Sequence, residues 1–304
     1  MKIRARKSII GDILVILFCI LVILLCILPM LNLLAQSLSS SLAVINSKVK
    51  FAPVIHNMQE NTYKTGITLE SYIYVFLDRA FARSMWWTAI LTVICTFVSL
   101  SMTILCAYPL TYDWLKGKGI INTIIIFTMY FSAGTIPNYI LMKSLNLLNN
   151  PLVLIIPNCL SVFNMIILRS FFFGIPDSLR ESAEMDGANP FTVLSKIYIP
   201  LSGPVLATLA LFYAVGRWNG FGDALLYINA APQWVPIQLK LWQLIQNTSS
   251  IDLNTVEMVA GSIPRASDAI KAAAIMFATI PILIVYPWLQ RYFIAGVTIG
   301  AVKG

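Results

Sequence analysis

Charge is what this sequence has least of. Asp, Glu, Lys and Arg make up 11% of its 304 residues, while 58% are apolar and the mean hydropathy is +0.80. A soluble domain of this size is about a quarter charged and about half apolar, so the chain reads as an integral membrane protein. Histidine is almost absent. His56 stands alone, and a metal site needs partners, so it reads as surface decoration. The five cysteines, Cys19, Cys26, Cys95, Cys106 and Cys159, lack metal-ligand spacing and all fall in apolar runs. They are expected to be small buried hydrophobes, with no metal and no disulfide framework. A phosphate-cradling Gly-x-x-x-x-Gly-Lys-Ser/Thr loop is missing too, since "KGKG" at 116–119 lacks the first glycine and the closing hydroxyl.

The apolar runs themselves exclude more. No Asp, Glu, Lys or Arg sits in the middle of any of them, whereas a proton-coupled pump normally carries an intramembrane carboxylate or histidine relay. A membrane-embedded enzyme would need polar catalytic groups clustered at one depth, and none are seen. If the chain moves a solute, the energy is expected to come from outside it. An ion-coupled secondary transporter stays open as an alternative, because sodium sites can be built from carbonyls and hydroxyls.

Six charge-free apolar runs are present: Ile13–Ala35, Trp86–Tyr112, Ile120–Met142, Leu152–Leu168, Leu201–Gly216 and Ala272–Gln290. The fold expected is all-α, with six transmembrane helices. At about 1.5 Å per residue the first run reaches roughly 34 Å, enough for a core of about 30 Å and longer than a signal peptide's apolar stretch. It reads as a retained helix. Lys2, Arg4, Arg6 and Lys7 precede it, and Lys116 and Lys118 stand in the tight second connection. The positive-inside rule then puts both termini in the cytoplasm. The organisation expected is residues 1–84 as the first helix and a long external segment, 85–290 as a core of five spans, and 291–304 as a cytoplasmic tail. Within the fifth connection "PIQLKLWQLIQ" reads as helical.

Some runs hold polar and helix-breaking residues. "FSAGTIPNYI" places Gly134, Pro137 and Asn138 in the third, and "IIPNCLSVFN" places Pro157, Asn158 and Asn164 in the fourth. Two readings stand side by side: kinks with polar packing between helices, or helices lining a polar pathway. At the end of the fifth run, Arg217-Trp218-Asn219 reads first as an interfacial anchor with a snorkelled arginine. Contact with a solute or with a solute-binding protein is the functional option, with Trp218 and Asn219 on the pathway, since an indole face stacks on sugars.

Between the fourth and fifth runs lies "ESAEMDGANPFTVLSKIYIP", 181–200, the most hydrophilic stretch of the second half. "IPDSLRESAEMDG" reads as a short helix with Asp177 as N-cap and Arg180 and Glu184 on one face. Gly187 is where it would stop, because glycine takes the left-handed conformation cheaply. Asn189 and Pro190 then open a second helix, with Phe191, Leu194 and Ile197 or Tyr198 as its apolar stripe. Chemistry alone allows a solvated amphipathic loop on the membrane surface or a rigid platform for transmitting force.

The spacing Glu181-Ser182-Ala183, three residues, Gly187, nine residues, Ile197-x-Ile199-Pro200 resembles the EAA motif of ABC importer permeases. Ser182 and Ile199 depart from that family's commonest residues. "SLNLLNNPLVLIIPNCLSVFNMIILRSFF", "ALFYAVGRWNGFGDALLY" and "AGVTIGAVKG" look like its carbohydrate branch, related to the maltose-type permease, and the likeness runs from about Leu69 onward. The resemblance implies a type I ABC importer permease fold with a cytoplasmic coupling helix, in a bacterial inner membrane. It implies two separate ATP-binding subunits that hold ATP and Mg, a second homologous permease, an extracellular solute-binding protein and a carbohydrate substrate, an oligosaccharide. Surrounding lipid is implied, nucleic acid is not. A peptide or amino-acid permease is the alternative within the class. Glu181 and Asp186 would present charge to the ATPase, Ala183 would allow close approach, Gly187 would make the bend, and Ile197 to Pro200 would anchor the loop to the fifth span. The tail, Gly296–Gly304, would also touch the ATPase.

Overall fold

The computed structural model describes residues 9–57, 62–249 and 267–301. The basic cluster at Lys2–Lys7, part of the fifth connection and the last three tail residues lie outside the described residues. The helices run α1 (Ile9–Ser37), α2 (Ser41–Ile45), α3 (Glu70–Leu77), α4 (Arg79–Ala107), α5 (Lys118–Tyr130), α6 (Thr135–Ser144), α7 (Val162–Phe172), α8 (Asp177–Met185), α9 (Pro190–Val193), α10 (Ile199–Leu201), α11 (Gly203–Asn219), α12 (Gly222–Tyr227), α13 (Ile237–Ser249) and α14 (Ser267–Ala301). A π turn, Leu194–Tyr198, joins α9 to α10. One departure from an all-helical chain is a hairpin, β1 (Val54–Asn57) and β2 (Thr62–Thr65), paired antiparallel with Ile55 opposite Lys64 and His56 opposite Tyr63.

Among the described residues three helices are long and apolar enough to cross a membrane alone, within Ile13–Ser37, Arg79–Thr111 and Asp268–Pro287. The third and fourth runs are interrupted, while the fifth forms the single helix α11 and bends only at Ser202, where that helix begins. Up to six spans result if each bent pair of helices counts as one. In the third run α5 and α6 meet at 113°, across a break closed by Gly134 with φ +90°. The fourth run holds a 3-10 turn, Pro151–Leu154, then an irregular stretch through Pro157 and Asn158 before α7 begins. Proline removes a backbone donor and clashes with the preceding turn, which explains the interruption. α7 and α8 meet at 75°, and the Pro190–Leu201 segment meets α11 at 84°.

The chain forms two compact units. The first takes Met1–Ala82 and Leu241–Thr279, the second Arg83–Lys240 and Ile280–Gly304. In the first, the end of α1 is tied down by hydroxyls. Ser39 Oγ donates to the Ala35 carbonyl at 2.6 Å and accepts from the Val54 amide at 3.0 Å. Ser40 Oγ accepts from the His56 amide at 3.0 Å, which fixes the hairpin to that end. His56 is half-buried, its ring 5.0 Å from that of Tyr63, so it is part of the hairpin's packing and not loose decoration. Phe277 stacks edge-on with Phe76 at 4.6 Å.

The second unit has two buried clusters. One gathers Leu91, Cys95, Leu154, Ala224 and Leu239. The other gathers Tyr108, Tyr112, Leu168, Phe172, Tyr198 and Leu209 around the ends of α4, α7 and α11. Of the cysteines only Cys95 is buried. Cys106 and Cys159 are half-buried, and Cys19 and Cys26 lie on α1, whose apolar surface is uncovered by the chain, as lipid solvation requires.

Candidate functional site

The hydrophilic loop is built as two short helices locked by their caps. Asp177 is the first residue of α8 and not its N-cap; Pro176 holds the cap position, with φ −59° and no capping side chain. Asp177 instead pairs with Arg180 at 3.0 Å, and Arg180 reaches Glu184 at 3.9 Å. The Arg180 guanidinium lies 4.9 Å over the Tyr112 ring, so this cation is turned inward while the carboxylates face out.

At the other end of α8 the amide of Ala188 donates to the Ala183 carbonyl at 2.9 Å and that of Gly187 to the Glu184 carbonyl at 3.0 Å. This is the Schellman closure, and it needs the left-handed residue that Gly187 supplies at φ +81°. Ala183 and Ala188 both pack on the tyrosine-rich cluster, so the alanine is small because the cluster lies beneath it. Asn189 then caps α9 as expected, its Oδ1 accepting from the Thr192 amide at 2.8 Å.

The apolar stripe differs from expectation. Val193, Leu194 and Tyr198 are buried, but Phe191 is 73% exposed. The π turn widens the helix at Leu194, so a stripe counted at 3.6 residues per turn does not continue through it. Ile197 and Ile199 are partly buried against the cluster, and Pro200 is exposed in α10. The outward face of the loop is therefore Glu181, Ser182, Met185, Asp186 and Phe191, all exposed.

The structure brings together two of the five pathway residues. Asn158 and Asn164 line an open cavity of about 670 Å³ in the second unit, with Phe163, Phe212, Tyr213 and Asp223. Asn164 is 5% exposed. Tyr213 braces the walls, its hydroxyl 2.6 Å from Thr103 Oγ1 and accepting from the Ser161 amide at 3.2 Å. Asn138 is exposed on α6, outside this lining. Asn219 is exposed and donates to the Val215 carbonyl at 3.0 Å. Trp218 is buried elsewhere, in an apolar groove with Ala89, Leu211 and Pro281.

The snorkelled Arg217 is also corrected. It is 8% exposed and held in a fork: Asp223 accepts from both Nη atoms, Leu154 O from Nη1 at 3.3 Å and Gly220 O from Nη2 at 3.2 Å. Asn158 donates to the same carboxylate at 3.4 Å. A buried cation persists where it is paired and hydrogen-bonded. Sequence reading missed Asp223, although two glycines between it and Arg217, at 220 and 222, mark a turn able to bring the pair together. It also missed Tyr108 and Tyr112, which no local pattern separates from other aromatic residues in an apolar run.

Apolar helices, single and bent, with a polar loop between α7 and α11, define a membrane protein. The chain belongs to the family described as the binding-protein-dependent transport system inner membrane component, which it matches over residues 65–299. Its fold is that of an ABC importer permease: a chain from a bacterial ABC transporter involved in the import of the acidic polysaccharide alginate superposes with a TM-score of 0.84 at 31% identity, over 96% of this chain and all of that one. The chain is similar to the polygalacturonan/rhamnogalacturonan transport system permease protein YtcP of Bacillus subtilis, 38% identical over 98% of this chain and 100% of that protein. It is similar also to the protein LplC of Bacillus subtilis, 44% identical over 78% of this chain and 79% of that one.

Proposed function

We propose that this chain is the permease subunit of an ATP-driven importer of a carbohydrate, an oligosaccharide, and that α8 to α10 is its coupling loop. The observation that carries the reading is the loop itself. A Schellman closure, an asparagine cap and a buried aromatic cluster hold two short helices rigid, while Glu181, Ser182, Met185, Asp186 and Phe191 are left uncovered. Rigidity beneath and uncovered groups above suit a surface pushed by a partner. The partner is a pair of ATP-binding subunits, which hold ATP and Mg; this chain does no chemistry and has no cofactor. A second permease and an external solute-binding protein complete the assembly, in agreement with the family's description as binding-protein-dependent.

The carbohydrate reading is supported by what the similar proteins are described as moving, polygalacturonan or rhamnogalacturonan and alginate. It is supported too by the cavity. Exposed faces of Phe163 and Phe212 beside the amides of Asn158 and Asn164 suit a ring with apolar faces and hydroxyl edges. Closure of the ATPase dimer would move the loop and switch the cavity between inward and outward access.

The test is to purify the tagged chain gently from its own membranes and assay ATP hydrolysis beside a Glu181→Ala, Gly187→Arg variant of equal membrane insertion. Hydrolysis should accompany the wild type and be lost from the variant. Hydrolysis that never accompanies an intact chain removes the importer reading and brings ion-coupled transport forward.

A further inference from the structure

Both covalent junctions of the coupling loop are sharp bends, 75° between α7 and α8 and 84° between the Pro190–Leu201 segment and α11. A push on α8 would be taken up at those bends unless the loop were fixed to something else. It is fixed to α4. Tyr108 follows the last residue of α4 directly, and its amide still donates to the Ile104 carbonyl at 3.0 Å, so its position follows that helix. The turn after it closes through Thr111 Oγ1, which donates to the Tyr108 carbonyl at 2.7 Å, and this brings the Tyr112 hydroxyl against that of Tyr108.

The polarity of the next link is settled by chemistry. Tyr108 O–H lies 3.0 Å from the Pro190 carbonyl, which can only accept. A phenol has one hydrogen, so Tyr112 must donate to Tyr108 and Tyr108 to Pro190. Such a chain, 4–5% exposed at the two tyrosines, strengthens each of its bonds. Arg180 of α8 lies on the Tyr112 ring, and Tyr198 meets the Tyr108 ring edge-on at 5.1 Å. Both halves of the loop therefore grip one point at the end of α4.

We infer that Tyr108 is a positioning residue: its hydroxyl, driven by Tyr112 and bonded to Pro190, passes movement of the docked loop to α4. This rests on the importer reading. The test uses the whole assembly in nanodiscs, with native cysteines replaced and a nitroxide at Phe97→Cys, on the exposed face of α4. ATP hydrolysis and the change in label mobility on trapping with ATP and vanadate are read for the unsubstituted assembly, Tyr108→Phe and Tyr112→Phe.

Tyr108→Phe keeps the packed ring. It should hold hydrolysis within about twofold while the label response falls about three- to tenfold, the factor set by one hydrogen bond of ordinary net strength. Tyr112→Phe, which keeps the bond to Pro190, should lose less. A full label response in Tyr108→Phe at equal assembly overturns the inference and leaves the importer reading standing. If Tyr108→Phe fails to assemble, a full response in Tyr112→Phe overturns the polarised relay and a partial one supports it. An unsubstituted assembly with neither hydrolysis nor label response overturns both.

Discussion

At Gly187 an added Cβ would meet nothing within 4 Å, so the need for glycine there lies in the backbone alone, at φ +81°. Gly187→Ala is expected to cost about 1–2 kcal/mol of local stability, the usual penalty of the left-handed region. Faster amide exchange at Gly187 and Ala188 would register it, with no change at α4. Arg217 and Asp223 present the opposite case, a pair whose members depend on each other. Arg217→Leu alone leaves a half-buried carboxylate bonded by Asn158 but without its ion pair, and should destabilise by about 2–3 kcal/mol, below the cost of a fully buried unpaired charge. The double replacement Arg217→Leu, Asp223→Leu should recover much of that loss. Thermal unfolding in one lipid composition separates the two outcomes, and equal losses in single and double variants would deny the coupling.

Among the elements, α9 is short enough for its cap to decide it. Asn189→Ala should cost about 1 kcal/mol, typical of a lost N-cap, and appear as faster exchange at Thr192 and Val193. Caps of this sort were legible in the sequence because their chemistry is local: Gly187 and the Asn189-Pro190 pair do what their types imply. Asp177 was misplaced by one position, because Pro176 already has the extended backbone a cap needs and leaves the aspartate free to pair with Arg180. The bends within the expected spans were not legible. Composition records apolarity without direction, so two helices meeting at 113° read like one. The grip of Tyr108 on Pro190, 82 residues away, leaves no local trace at all. Phe191 escaped its expected burial for a similar reason, since a π turn has no clear signature in side-chain type.

For the whole molecule, a mostly helical membrane fold followed from hydropathy, and the family from a spaced motif with three further stretches like it; the cavity did not, because Asn158, Phe212 and Asp223 come together only in the folded chain. The sidedness read from basic residues leads to a direct measurement. Lys48→Cys, exposed beside the hairpin, should react with a membrane-impermeant maleimide added to intact cells, and Ser178→Cys, exposed on α8, only after permeabilisation. The reverse pattern would turn the chain over and separate the loop from any cytoplasmic ATPase.

The tyrosine grip also bears on how the protein is made. The loop follows α4 by about 70 residues, and in the folded chain it rests on a cluster to which α4, α7 and α11 all contribute, around Tyr108, Phe172 and Tyr198. A nascent chain with one of these helices missing from the membrane presents no finished surface. On the coupling-loop reading, such a chain would also offer a partner subunit no finished face, so assembly and membrane insertion would be linked through this one cluster.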